Sequence, residues 1–336
     1  MPAFHEIMGH AGAIGILQTM LRTGLTPPAM LLMGDAGIGK RMAADAFSRA
    51  LLCQNKVRTS PFIEPCMSCL ACRKMESRNH PDFSLVEPEG HFIKIDQIRQ
   101  IQKQIVFGPL DGQKKLVLMD DADKMNAAAA NSLLKTLEEP PPYALLMLIA
   151  ARPSSLPETI LSRCQKVAFH PPAYSMIETV LMEKRGWTTE EARLVVSLAG
   201  GRIGAALALD VDVARQKEAD LHDLISEETL QAYDRLLEVA KRHAEDDAAM
   251  DASCSYLAGW FRDVLVVQAT TAEISPSWLV YPWRSEEIAR WATRMNCHEA
   301  GQFLARIYEI QKARMRNINL QLAMETLLMT LRDFLV

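Results

Sequence analysis

Residues 29–40 read AMLLMGDAGIGK, an apolar run that turns through three glycines into a lysine, and the chain then runs directly to Cys53, the first of four clustered cysteines. Met30 to Met33 has the length and unbroken apolarity of a buried strand. From Arg41 to Leu52 the pattern changes to helical spacing, with Ala43, Ala44, Phe47 and Leu51 on one face. A strand, a glycine-rich loop and a helix in that order open a parallel α/β domain. Gly34, Gly39 and Lys40 satisfy the G-x-x-x-x-G-K spacing of a phosphate loop, and Gly37 adds freedom inside it. The residue that follows should be Ser or Thr, whose hydroxyl holds Mg²⁺. Here it is Arg41, which offers no lone pair to a metal and adds a second cation.

A second strand pattern, KLVLMDDAD from Lys115, ends in acids. Asp120 takes the place of a metal-side acid, and Asp121 stands where a longer Glu would orient water. One methylene less leaves that carboxylate short of the attacking water. Together with Arg41, this makes the loop an architectural feature: it can still cradle an anion on its N–H groups, but efficient Mg²⁺-dependent hydrolysis is not expected.

The cysteines fall as C-x12-C-x2-C-x2-C at Cys53, Cys66, Cys69 and Cys72. Three can converge in a knuckle and the fourth can close a tetrahedron from the end of the preceding helix. Four thiolates around Zn²⁺ leave no open position for water, so the expected role is structural. The charge of −2 would be partly offset by Lys56, Arg58, Arg73 and Lys74. A redox pair and an iron–sulfur cluster are the alternative chemistries, and His80 could replace one thiol. Cys164, Cys254 and Cys297 are isolated and read as packing residues. Pro61 and Pro65 discourage regular structure between Cys53 and Cys72.

A net charge of −4 excludes a uniformly basic nucleic-acid coat, so any DNA contact is patchy or supplied by a partner. No apolar stretch approaches a membrane span and no signal peptide is visible, which predicts a cytoplasmic protein without stable disulfides. Helical spacing predicts helices near Asp96–Val106 and Ala127–Leu137, the latter stopped by Pro140 to Pro142, and LLMLIAA reads as another central strand. Beyond Phe169–Pro172 every segment looks helical. Thr188 and Glu191 form a capping box, and Gly200 and Gly201 stop the helix that follows it. His243 to Asp251 (HAEDDAAMD) reads as a solvated connection or an exposed helix end. Leu320, Ala323, Leu327, Leu331 and Phe334 share a face of a terminal helix, within a stretch from Ile318 to Leu335, that needs a partner. The domains expected are 1–170, with a zinc module at about 53–80, then 171–212 and 213–336.

NSLLKTLEEPP at Asn131 to Pro141, SRC at Ser162 to Cys164, and the cysteine cluster directly after the loop helix make the chain resemble the bacterial DNA polymerase III clamp-loader family, on its delta-prime branch. VEPEGHFIKIDQIRQI and NINLQLAMETLLMTL extend the likeness over essentially the whole length. The resemblance implies an AAA+ (RecA-like) P-loop domain with an inserted zinc module, a small helical lid domain, and an all-α collar domain that assembles five subunits into an open ring. Gamma/tau and delta subunits would be its partners, and through the assembly the sliding clamp and primed DNA. Cys53, Cys66, Cys69 and Cys72 match the family's zinc ligands, and Gly34 to Lys40 its phosphate loop. Arg163 matches an arginine finger presented to ATP on the adjacent motor subunit. Active members also place a lid arginine where this chain has Ala205, after Arg202 in GGRIGAALAL. The implied role is a stator without intrinsic ATPase activity. An ATP-hydrolysing gamma/tau-like motor and a zinc-containing scaffold outside replication are the competing readings.

Overall fold

A computed structural model describes residues 3–59, 61–270, 275, 278–313 and 318–334. The chain divides into two compact units, Met1–Met176 with Arg202–Gly204, and Ile177–Gly201 with Ala205–Val336.

In the first unit, strand β1 (Ala29–Met33) follows helix α1 (Ala11–Thr23) and feeds α2 (Lys40–Leu52). A hairpin of β2 (Val57–Thr59) and β3 (Phe62–Glu64) comes next, then α3 (Leu70–Glu76), β4 (Phe83–Val86), α4 (Ile95–Ile105), β5 (Lys115–Met119), α5 (Ala127–Glu138), β6 (Ala144–Ala150), the short α6 (Glu158–Leu161) and β7 (Gln165–Ala168). The five long-range strands form one all-parallel sheet in the order β4-β5-β6-β1-β7. Every residue of β5 and β6 is buried, as a parallel strand covered by helices on both faces requires. Alternation assigns the faces. Met30, Leu32, Leu116, Leu118, Met147 and Val167 pack with α1 and α2. Leu31, Val117, Met119, Leu146 and Leu148 pack with α4 and α5. All carboxyl ends of the strands share one edge, where ligands of open α/β sheets bind.

The helices expected near 96–106 and 127–137 form within a residue of those limits. Two corrections follow. The segment between Cys53 and Cys72 does carry regular structure: Pro61 lies between β2 and β3 and Pro65 follows β3, so neither proline removes a ladder N–H. Strands β4 and β7 had no clear apolar signal, because they are the two sheet edges and keep partly exposed residues.

The second unit is helical: α7 (Tyr174–Arg185, starting at the boundary), α8 (Thr189–Leu198), α9 (Ile203–Ala208, whose first two residues belong to the first unit), α10 (Val211–His222), α11 (Glu227–Gln231), α12 (Tyr233–Arg242), α13 (Asp247–Ala269), α14 (Ser285–Arg294), α15 (Cys297–Ala313) and α16 (Leu320–Arg332). The capping box forms as expected: Thr188 Oγ1 accepts from Glu191 N at 3.3 Å and Glu191 Oε2 accepts from Thr188 N at 3.0 Å. Gly200 and Gly201 follow with positive φ. The core gathers around Tyr256, Trp260 and Phe261 of α13. Asp263, fully buried on the same helix, accepts from Val280 N and Tyr281 N at 2.7 and 2.9 Å. The partner that α16 needs is within this unit, since Met324, Leu327, Leu328 and Leu331 join that core; Leu335 lies outside the described residues. The 243–251 segment is the exposed helix end of the two readings: Asp246 caps α13 by accepting from Ala249 N at 2.7 Å and 245–248 are exposed, although His243 and Ala244 before them are buried.

Leu148 is fully buried opposite Leu31 in the sheet centre. Leu148→Ala is expected to destabilise the first unit by about 2–5 kcal/mol, the range for truncating a buried leucine. Urea unfolding followed by circular dichroism measures this; an unchanged midpoint would contradict the packing described.

Candidate phosphate-loop site and metal centre

Gly34 leaves β1 at φ +143°, and a Cβ there would meet Phe169 O at 2.2 Å. The close approach of β7's following residue therefore admits only glycine. Gly39 (φ +107°) caps α2 in a conformation that side chains rarely adopt. His10 pins the loop from outside. Its ring Nε2 lies 2.6 Å from Ile38 O, and since a carbonyl only accepts, Nε2 carries the proton. Burial also lowers the His10 pKa, favouring the neutral ring that this contact uses.

Lys40 turns its Nζ onto the loop's own carbonyls, Gly34 O and Asp35 O, the latter at 2.6 Å. Burial lowers its pKa, and Asp123, Asp35, Asp120 and Asp121 oppose that effect. Arg41 does what the sequence alone did not reveal. Its guanidinium joins Asp120 at the end of β5, Glu87 at 3.1 Å and Asp45 at 3.1 Å, one turn along α2. Burial alone would weaken that charge; Asp45 and Asp120 outweigh it and hold the guanidinium above its ordinary pKa. Asp45 is pushed up by its own burial, with Arg41 pulling it back. The group that stands where a metal-holding hydroxyl was expected is thus a cation seated on the metal-side acid. Asp121 takes a left-handed backbone (φ +49°) and pairs with Lys124 at 2.8 Å, so its carboxylate is engaged locally.

At the other end of α2, Cys53 is the C-cap residue. The four thiol sulfurs of Cys53, Cys66, Cys69 and Cys72 lie within 4.8 Å of one another. Cys53 Sγ is 3.6 Å from Cys66 Sγ and 3.9 Å from Cys69 Sγ, and Cys66 Sγ is 4.0 Å from Cys72 Sγ. A tetrahedron with Zn–S bonds of about 2.3 Å has edges of roughly 3.8 Å, so the donor set fits four-thiolate zinc. The spacing is far too long for disulfides, and all four thiols are free. Backbone amides prepare the sulfurs: Cys66 N donates to Cys53 Sγ at 3.3 Å, Cys69 N to Cys66 Sγ at 3.3 Å, and Cys72 N to Cys69 Sγ at 3.4 Å. Met67 pays for this knuckle with a left-handed backbone, φ +59°. Hydrogen bonds from the Ser68 and Cys69 amides hold Cys66 down to about 6, whereas burial raises Cys53 and Cys72. His80 is not among the converging donors; its Nδ1 accepts from Asp82 N at 3.1 Å.

A family model described as DNA polymerase III, delta subunit, matches residues 9–173. The DNA polymerase III subunit delta′ of Bacillus subtilis (strain 168) is 31% identical over 313 residues, covering 91% of each chain. The chain belongs to the bacterial DNA polymerase III clamp-loader family, on its delta-prime branch. The delta′ subunit of Pseudomonas aeruginosa is 36% identical over 196 residues, 57% of this chain and 58% of its own. The tau subunit of Bacillus subtilis is 32% identical over 166 residues, 49% of this chain and 29% of its own.

Within this clamp-loader chain Arg163 sits after α6, half-exposed. Its Nη1 donates to Thr159 O at 3.0 Å and its Nη2 to Glu138 at 2.8 Å, at the end of α5. The SRC and LEEPP motifs therefore meet through an ion pair. Arg202 packs its side-chain stem beside Gly37, with Cβ and Cδ 3.5 and 3.7 Å from where a Gly37 Cβ would be, and Gly204 N donates to Gly37 O at 3.3 Å. Ala205 leaves the adjacent position in α9 without a cation. Cys164 and Cys254 are buried as expected of packing residues; Cys297 is exposed.

Burial raises the Cys53 and Cys72 thiols, so both carry protons near neutral pH in the metal-free chain, while backbone hydrogen bonds lower Cys66 and Cys69. Zinc binding at pH 7 should therefore release protons, and affinity should fall as pH falls, because protons compete for the sulfurs. Calorimetric titration in two buffers of different ionisation enthalpy measures the release; a buffer-independent heat would contradict it. About one zinc per chain, lost in Cys66→Ser and Cys69→Ser, is the accompanying result for a four-thiolate site.

Proposed function

We propose that this chain is the delta-prime stator of the DNA polymerase III clamp loader, a subunit that helps load the sliding clamp onto primed DNA without hydrolysing ATP itself. The observation that carries the reading is Arg41. A loop that must organise Mg²⁺ needs a hydroxyl beside its lysine and a free acid opposite; here Asp120 is held by a guanidinium. The short Asp121, paired with Lys124, and Ala205 in place of a lid arginine point the same way. On this reading residues 1–170 are the AAA+ P-loop domain with its zinc module, 171–212 the lid and 213–336 the collar. Gly34, Gly37, Gly39 and Lys40 remain as the cradle of a site that no longer turns over.

Arg163 is the chain's contribution to catalysis. In a five-subunit ring with gamma/tau and delta subunits, it would reach the γ-phosphate of ATP on the adjacent motor and stabilise the charge that develops during transfer. Glu138 holds the guanidinium at the surface in the isolated chain, and a doubly charged γ-phosphate is the stronger competitor for it. ATP binding next door then draws the neighbour against this chain, and release relaxes it, which biases ring geometry and clamp opening. DNA contacts, where made, are with the backbone rather than the bases. Among the described residues no helix is long and apolar enough to cross a membrane, and a place in the cytoplasm follows from the replication role.

Steady-state ATP turnover of the assembled loader tests this directly. Lys40→Ala should leave turnover unchanged, whereas Arg163→Ala should slow the site it faces by about 10³-fold or more without removing nucleotide there. Loss of turnover in Lys40→Ala would make this chain a motor subunit.

A further inference from the structure

Arg49 is the most anomalous charge in the first unit. It lies in the last turn of α2, only 3% exposed, four residues before the zinc-ligand position Cys53, whose N–H donates to Arg49 O at 2.9 Å. No acid pairs with it among the described residues. Its one hydrogen bond is Nη1 to Met67 Sδ at 2.9 Å, and its Nε and Nη2 are buried with no partner. A buried guanidinium without a counter-charge is strongly unfavourable, and a thioether is too weak an acceptor to offset it.

The neighbourhood supplies the reason. Met67 is the strained residue between Cys66 and Cys69, so the guanidinium reaches into the knuckle itself. The i, i+4 spacing puts Arg49 and Cys53 on one face of α2, one turn apart. Four thiolates around Zn²⁺ carry a net charge of −2, and they would sit at the C-terminus of α2, where the helix dipole already places partial negative charge. A dianion there needs a buried cation. Lys56, Arg58, Arg73 and Lys74, the offsets suggested by the sequence, lie in or beside the module but are not buried.

We propose that Arg49 is the buried counter-cation of the four-thiolate zinc cluster, a positioning residue on the phosphate-loop helix that raises the affinity of the cysteines for zinc. The inference presupposes the zinc assignment, and the test separates the two. Zinc affinity of the full chain is measured by competition with a chromophoric chelator for wild type, Arg49→Met and Arg49→Lys, alongside thermal unfolding with zinc and in excess chelator. Wild type should take up one zinc; failure to do so defeats the zinc assignment and this proposal with it. Arg49→Met should bind zinc about 10–100-fold more weakly, the usual cost of losing a group that supports a metal ligand, and Arg49→Lys should recover most of the affinity. In excess chelator Arg49→Met should be no less stable than wild type, because an unpaired buried charge has been removed. Wild-type affinity in Arg49→Met, or an equal loss of stability with and without zinc, would overturn the proposal in favour of simple packing. Should Arg49→Met not fold, Arg49→Gln, neutral but still polar, is judged by the same affinity criterion.

Discussion

A helix presents a partial positive charge at its first turn and a partial negative charge at its last, and α2 must satisfy both ends at functional positions. Its N-terminus emerges from the phosphate loop and its C-cap residue is Cys53. The first end suits an anion. The second is a poor place for a dianionic metal cluster unless a cation is buried beside it. Nearly everything distinctive about the first unit lies at these two ends: Gly34 and Gly39 shape the first, and the strained Met67 and the buried Arg49 the second. Between them, Ala43, Ala44, Phe47 and Ala50 fasten the helix to the sheet, so the two sites share one rigid element.

Arg41 turns the N-terminal end away from metal chemistry. One guanidinium meets three carboxylates from α2, the segment after β4 and the end of β5. Asp120, the acid expected on the metal side, is thus held by a tethered cation. That arrangement places a fixed positive charge among the acids at the sheet's carboxyl edge. Arg163, after α6, is held by Glu138 at the end of α5, and on the proposed function it is the group offered to a neighbour.

Much of this was legible in the sequence where one residue type allows one job. The β1–loop–α2 unit, the acid-ended β5, the four cysteines and the Thr188 capping box were readable because glycine spacing, apolar runs and side-chain capping act locally. Long-range pairing was not. Nothing in the order of residues says that Arg41 reaches Glu87, that Glu138 holds Arg163, or that His10 bonds the loop carbonyl of Ile38. Edge strands β4 and β7 were invisible because exposure erases the apolar run that marks a buried strand. Arg49 carries no signal in the sequence that sets it apart; its burial, with no acid paired to it among the described residues, is what points to the metal centre.

The central claim is that Arg41 occupies the electrostatic place of the metal. Electron paramagnetic resonance of Mn²⁺ titrated into the purified chain with ATP, for wild type and Arg41→Thr, tests it most directly. The account predicts no bound Mn²⁺ in the wild type and an Asp120-dependent bound signal in Arg41→Thr. Asp120-dependent Mn²⁺ binding by the wild-type chain would contradict it.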